Sequence, residues 1–281
     1  MLSTSRRQQR WFNLLIILVL CAGAILAIGP MLYMVSTSFQ ANAYVQEIPP
    51  RLLPDKPTLD NFTVALSSRN FGQSFANSLF VGVVTAIVVT ALASLMAYAF
   101  ARFEFWGKNA IFYTILAMML IPGVVLLIPQ FILAKNLGLI NSLPGLILVY
   151  SAGPLAFNTF LLRGFFENLP RELEESAVID GANSFTIFAR IMLPLAAPAV
   201  STVAVFAFLG SWDEYLLALN FLTDESKRTL PIAIASFRGV HATDWGLVFA
   251  ASLTAVIPSV LLFIFFQRYF VQGLTSGAVR G

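Results

Sequence analysis

The chain has 281 residues, 58% hydrophobic and only 11% charged, with a mean hydropathy of +0.81; ordinary soluble domains carry about 25% charged residues. Fourteen acids and seventeen bases are too few to coat a soluble particle of this size, so the chain is read as a single domain integral to a lipid bilayer. The net charge of +3 comes from scattered bases with no basic stripe, which argues against nucleic acid as a partner.

Charge-free stretches at 11–46, 70–101, 109–134, 136–162, 191–212 and 245–267 mark the membrane. Each can hold the roughly 20 apolar residues that a spanning helix needs. Helices are expected near 12–36, 74–100, 110–133, 144–165, 196–219 and 246–269. Arg6, Arg7 and Arg10 precede an apolar run that continues through Val35. That run exceeds the roughly 7–15 apolar residues of a signal peptide, so it reads as an uncleaved first helix. Cys21 lies in this run with no second cysteine to pair with, and bulky Leu20 before it argues against a lipoprotein site. Six crossings put both termini on one side. Placing that side in the cytoplasm gives it ten of the 17 bases, the direction the positive-inside rule favours.

Residues 37–73 hold Pro49, Pro50, Pro54 and Pro57 and are expected to be an external loop with extended pieces. Asn77-Ser78 is expected to open the second helix. Pro122 and Pro129 in the third span, and Gly153-Pro154 in the fourth, are expected to kink their helices. A kinked pathway wall and ordinary membrane proline are both open readings. In the fifth span, Trp212, Asp213 and Glu214 stand together. Asp213 lies 17 residues, about 26 Å, beyond Ala196 at 1.5 Å per residue. That places the two acids near the outer interface, as gate or vestibule groups or solvated interfacial charges rather than a proton relay. Trp212 reads as an anchor in the interfacial aromatic belt, with a sugar-stacking ring as the second reading. Residues 220–245 form a second long external segment, and a Gly-rich polar tail follows Phe270.

The sizeable charged excursion between spans is 168–191. Asn168 before Pro170 reads as a helix cap. Glu172, Glu174 and Glu175 follow at the positive end of the helix dipole, and Asp180-Gly181 supplies a C-terminal stop. Ser184 is expected to cap a second short helix to about Ile191, and Pro194 to mark entry to the fifth span. Small residues at the elbow, Ser176, Ala177, Gly181 and Ala182, allow another protein's surface to approach closely.

This excursion reads Glu175-Ser176-Ala177, three residues, Gly181, nine residues, Ile191-Met192-Leu193-Pro194. The spacing resembles the EAA signature of ABC-importer permeases, with Ser176 where the first Ala usually stands. The strings Ala97-Tyr98-Ala99-Phe100-Ala101-Arg102-Phe103, Ile121-Pro122-Gly123 and Trp212-Asp213-Glu214-Tyr215, with the tail from Val271 to Gly281, are similar to the carbohydrate branch of that family, its maltose-type second permease; Asp213 departs from the Asn often found there. The resemblance implies an all-α integral membrane fold of six transmembrane helices, the type I (MetI-like) importer permease. It implies ATP-driven uptake of a sugar or oligosaccharide by alternating access. The partners would be a second homologous permease, a cytoplasmic ATPase dimer and an extracytoplasmic sugar-binding protein in the inner membrane of a prokaryote. It makes Glu174, Glu175, Ser176, Ala177, Asp180, Gly181, Ile191, Leu193 and Pro194 the ATPase-coupling residues, and Pro122, Pro154, Trp212, Asp213 and Glu214 candidates for the pathway or gate. No cofactor is expected on this chain: it has no Gly-x4-Gly-Lys-Ser/Thr loop, so ATP and magnesium would sit in the partner subunits. His241 is the sole histidine, and no metal-ligand cluster or catalytic group is apparent. A proton- or sodium-coupled secondary carrier is the alternative; it would need charged groups near the bilayer middle.

Overall fold

A computed structural model describes residues 6–41, 52–68, 70–239 and 243–278, with the backbone alone given for 6–8, 10 and 269–278. No strand-forming ladder occurs among the described residues; two isolated bridges, Gln40 with Pro57 and Arg238 with Thr243, are the extended pairings. The chain divides into two compact units, Met1–Ser68 with Ile234–Thr254, and Arg69–Ala233 with Ala255–Gly281.

In the first unit, α1 (Arg6–Ser38) presents large apolar side chains all round, Leu26 being 78% exposed. A helix apolar on every face is built for lipid or for other helices. The expected external loop contains a helix, α2 (Asp60–Ser67). Its buried Asn61 donates from Nδ2 to the carbonyls of Ser38 and Gln40, at 2.8 and 2.9 Å. These bonds satisfy groups at the end of α1 that its own ladder leaves open. Gly246 near the start of α14 (Trp245–Ala278) packs against this knot; a Cβ there would stand 2.5 Å from Asn61 Nδ2. The proline-rich 42–51 and His241 lie outside the described residues.

The second unit is organised around α3 (Phe71–Arg102), which packs against α7 (Leu155–Glu167) and α11 (Ala197–Trp212). The contact faces are small: Ala93, Ala97 and Ala101 on α3 meet Leu162, Phe166, Val203 and Ala207. A Cβ on Gly82 would stand 2.9 Å from Phe208 Cε2. Small residues let helices approach closely where lipid offers no competing hydrophobic drive. Asn77 and Ser78 lie two turns inside α3 rather than at its start, which is Phe71.

Among the described residues, three helical stretches are long and apolar enough to cross a bilayer: Trp11–Ser38, Phe71–Arg102 and Trp245–Arg268. Three more form bent pairs, so the number of spans reaches six if each pair counts as one. The expected helix at 110–133 is α4 (Lys108–Ala117) and α5 (Leu127–Asn136), meeting at 96° around Ile121-Pro122 through two 3-10 turns. Pro129 sits in the first turn of α5, where it breaks nothing. The expected helix at 144–165 bends by 51° at Gly153-Pro154, between α6 (Leu143–Ala152) and α7. The expected helix at 196–219 stops at Trp212, and α12 (Leu216–Phe221) follows a three-residue break. The last helix continues to Ala278, so most of the Gly-rich tail is helical.

Candidate functional site

The 168–191 excursion folds as α8 (Glu172–Ile179), a tight turn, and α9 (Ser184–Ile187). The π-type turn Phe188–Met192 and the short α10 (Leu193–Leu195) lead into α11 across an 82° bend. The caps differ from expectation. Asn168 closes α7, its Nδ2 donating to the Gly164 carbonyl at 2.7 Å, and α8 starts without a side-chain cap. Asn183, not Ser184, caps α9 by accepting from the Thr186 N–H at 2.8 Å. The residue before a helix has extended backbone that aims a short acceptor at the free N–H groups, and Asn183 has that backbone (ψ 164°). Gly181 does end α8, with φ +82°, the left-handed conformation that glycine adopts without penalty.

A side-chain clamp fastens α8 to the end of α3. Arg102 Nε lies 2.5 Å from Glu174 Oε1. Tyr98 donates its hydroxyl to Glu174 Oε2 at 3.0 Å, and Arg102 Nη2 donates to the Leu169 carbonyl at 2.8 Å. The Arg102 and Glu174 side chains are only 6% and 16% exposed. Tyr98 also packs its ring on Phe166 and Phe188. Thus α3, α7, α8 and the π-type turn meet at one phenol and one guanidinium. Tyr98 and Arg102 were not among the expected site residues. Their signal was present: a hydroxyl and a guanidinium at i and i+4, on one face of an apolar helix, at its end.

The nine expected coupling residues therefore divide by what they touch. Glu174 faces the clamp, and Ala177 is buried in the core with Met192 beside the half-buried Ile191 and Leu193. These residues hold the excursion in shape, so Ala177 is not a small residue offered to a partner. Glu175, Ser176, Asp180, Gly181 and Pro194 face outward. So do Val178, Ile179 and Phe185, at 60%, 86% and 71% exposure. None of these three is among the expected coupling residues. Large apolar side chains left exposed on a charged elbow suit a protein interface; Phe185 also lines the groove beside α3, α11 and α14.

The candidate pathway residues are not assembled into one constellation. Pro122 is exposed at the 96° bend and Pro154 half-buried at the 51° bend. Trp212 is 2% exposed: it stacks on Phe208 at 5.5 Å, meets Phe75 edge-on, and donates from Nε1 to the Ala255 carbonyl at 3.1 Å. It is neither a belt anchor nor a ring available to a sugar. It pins α11 to α14 in the turn before Pro258, where the missing proline N–H loosens the ladder. Glu214 accepts from the Tyr150 hydroxyl and from the N–H groups of Leu217 (2.7 Å) and Ala218 (3.0 Å), so its carboxylate caps α12. Asp213 closes α11 with an exposed side chain.

The stretch from Phe221 to Leu230, where α13 (Leu230–Ser236) begins, is fixed from three sides. Asn141, in left-handed backbone, accepts from the Thr223 and Asp224 N–H groups, and Lys227 Nζ donates to its carbonyl. Asn77 donates to the carbonyls of Ser226 and Arg228, and Ser78 Oγ accepts from the Leu230 N–H. Among the described residues no group of three or more His, Cys, Asp or Glu could hold a metal. A cavity of about 610 Å³ between α3, α11 and α14 has Thr90 and Ser94 as its polar side chains, so it offers little to a sugar.

The family model for the binding-protein-dependent transport system inner membrane component matches residues 90–276. The diacetylchitobiose uptake system permease protein NgcG of Streptomyces coelicolor is 37% identical over 259 residues, covering 92% of this chain and 85% of that one. The trehalose/maltose transport system permease protein MalG of Thermococcus litoralis is 34% identical over 278 residues, covering 98% and 99%. Among solved structures, a chain of a bacterial ABC transporter involved in the import of the acidic polysaccharide alginate superposes with a TM-score of 0.83 at 25% identity, covering 96% of this chain and all of that one.

Proposed function

Because the chain belongs to the family of binding-protein-dependent transport system inner membrane components, we propose that it is one of two permease subunits of an ATP-driven importer for a sugar or oligosaccharide. Its relatives' substrates, diacetylchitobiose and trehalose or maltose, support a saccharide. In this reading both termini face the cytoplasm of a prokaryote, and the chain catalyses nothing itself. ATP and magnesium bind in a cytoplasmic ATPase pair. A second homologous permease completes the pathway, and an extracytoplasmic binding protein delivers the sugar to the side where Phe221–Leu230 lies. ATP binding closes the ATPase pair and draws the elbows of the two permeases together. The clamp at Tyr98, Glu174 and Arg102 passes that movement to α3 and α7, and the spans open outward.

The observation that carries this reading is the exposure of Val178 and Ile179 at the end of α8, on an elbow fastened to α3 by Arg102 and Glu174. Burying an isoleucine contributes about 2 kcal/mol, so Ile179→Asp should weaken retention of the ATPase subunits about thirtyfold. Ile179 is almost fully exposed, so membrane insertion and helicity should not change. Normal uptake and normal ATPase co-purification in Ile179→Asp would reject the docking assignment.

A further inference from the structure

We propose that the pocket between the α3–α4 turn and the end of α7 binds the phosphodiester headgroup of an anionic phospholipid of the inner leaflet. The pocket holds about 410 Å³ and is lined by Arg102, Glu104, Lys108, Arg163, Glu167 and Arg171. It lies where α3 and α7 end and α4 begins, at the depth of lipid headgroups in the six-span arrangement.

Four cations line it against two carboxylates. Committing Arg102 to Glu174 leaves three cations against two, a charge that one phosphodiester neutralises. The cations are withdrawn and their carboxylates are not: the Lys108 and Arg163 side chains are 11% and 20% exposed, while Glu104 and Glu167 are 85% and 45% exposed. Both pairs are local i,i+4 contacts at a surface, which contribute little and open readily. Arg171 makes no ion pair among the described residues. Arg163 is held in place by its Cζ, 4.0 Å above the Phe112 ring. Glu104 reports how the bases converge: its carboxyl is held below the usual range first by the hydrogen bond and charge of Lys108, then by Arg171 and Arg163.

A second feature points to lipid rather than to a soluble anion. The turn beside the pocket reads Phe103-Glu104-Phe105-Trp106, with Trp106 97% exposed and each Phe 42% exposed. The Trp106 indole, an apolar ring with one N–H donor, is of the kind that settles at the headgroup level, and basic pockets between helices on the cytoplasmic side bind anionic headgroups.

The inference rests on the orientation proposed above, and the test separates the two. The protein is extracted with its accompanying subunits, and native mass spectrometry measures retained phosphatidylglycerol against phosphatidylcholine. Phosphatidylglycerol should be retained preferentially. Lys108→Gln and Arg171→Gln should each lower retention about fivefold, the effect of one interfacial base, and Lys227→Gln at the far end should not. Equal retention of both lipids, or unchanged retention in the Lys108→Gln/Arg171→Gln double variant, overturns the site. Displacement of phosphatidylglycerol by excess inorganic phosphate would make the ligand a free anion and overturn the lipid assignment. Loss of a subunit without loss of lipid would make the pocket a protein contact and overturn it as well. Orientation is read independently from Trp106→Cys in a Cys21→Ser background. Labelling by an impermeant maleimide in inverted vesicles alone supports the cytoplasmic placement; labelling in right-side-out vesicles alone overturns the orientation, and with it the inner-leaflet assignment, whatever the lipid result.

Discussion

Replacing Arg102 with methionine isolates the clamp. The stem volume is kept, but Glu174, 16% exposed, loses its cation, and the Leu169 carbonyl loses its 2.8 Å donor. Breaking one partner of a fully buried pair costs about 3–5 kcal/mol. Glu174 is partly exposed, so a value near that of one charged hydrogen bond, about 2 kcal/mol, is appropriate. Tyr98 still donates to Glu174, and the Ala177–Met192 core still holds the elbow, so the expected result is a loosened α8 and not an unfolded protein. A 2 kcal/mol loss shifts the fastened-to-loose ratio about thirtyfold. Activity follows the fastened fraction, so uptake, and ATP hydrolysis stimulated by loaded binding protein, should fall by at most that factor, with membrane insertion and unstimulated hydrolysis unchanged. Glu174→Gln should fall less, because it keeps an acceptor for Tyr98. The double variant Arg102→Met/Glu174→Gln should be less impaired than the two single effects added, since each removes the same contact. Strictly additive losses, or normal stimulated hydrolysis in Arg102→Met, would refute the claim that this contact transmits movement.

Glu214→Ala leaves the Tyr150 hydroxyl and two N–H groups of α12 without their acceptor; loss of a helix cap costs about 1 kcal/mol and the orphaned donors add to it, so the solubilised protein should unfold several degrees lower, and an unchanged midpoint would contradict the capping role. Gly246→Ala places a methyl 2.5 Å from Asn61 Nδ2 and 2.9 Å from the Gln40 carbonyl, which should break the Asn61 bonds and raise protease cleavage between α1 and α2. Asp224 is held below the usual carboxylate range, first by the Ser226 N–H, then by the Ser226 hydroxyl. A depressed folded-state value gives support that is present above the unfolded value, about pH 4, and lost as pH falls through the folded one. The protection factor of the Ser226 amide, its exchange measured against the intrinsic rate at each pH, should thus hold from neutral pH down to about pH 4 and fall only in stronger acid, and Asp224→Asn should abolish that dependence.

Much of this protein was legible in its linear order because the membrane imposes a one-dimensional rule. Every backbone polar group in hydrocarbon must be satisfied within its own segment, so charge-free runs longer than about 20 residues mark helices directly, as at 70–101 and 245–267. The Gly181 stop was equally local, since a glycine directly after a short helical run supplies the left-handed residue that a C-terminal cap needs. Breaks were less legible. Proline marks the bends at Ile121-Pro122 and Gly153-Pro154, but an equally placed Pro129 bends nothing, because its missing N–H falls where no hydrogen bond was due. Trp212 shows the same limit. An indole beside two acids near a span end looks interfacial, until packing against Phe208 and Phe75 and a bond to Ala255, 43 residues away, bury it.

What the sequence determined by itself was where the apolar segments lie and the position of the charged elbow between them, because both follow from local composition. What only the tertiary structure decided was which face of the elbow is free. The spacing treats Glu174, Glu175, Ser176 and Ala177 alike. A helix turns 100° per residue, so neighbours in the chain point to different surroundings. Contact with Tyr98 and Arg102 on α3, some 70 residues earlier, draws Glu174 inward, sinks Ala177 into the core, and leaves Val178, Ile179 and Phe185 outside.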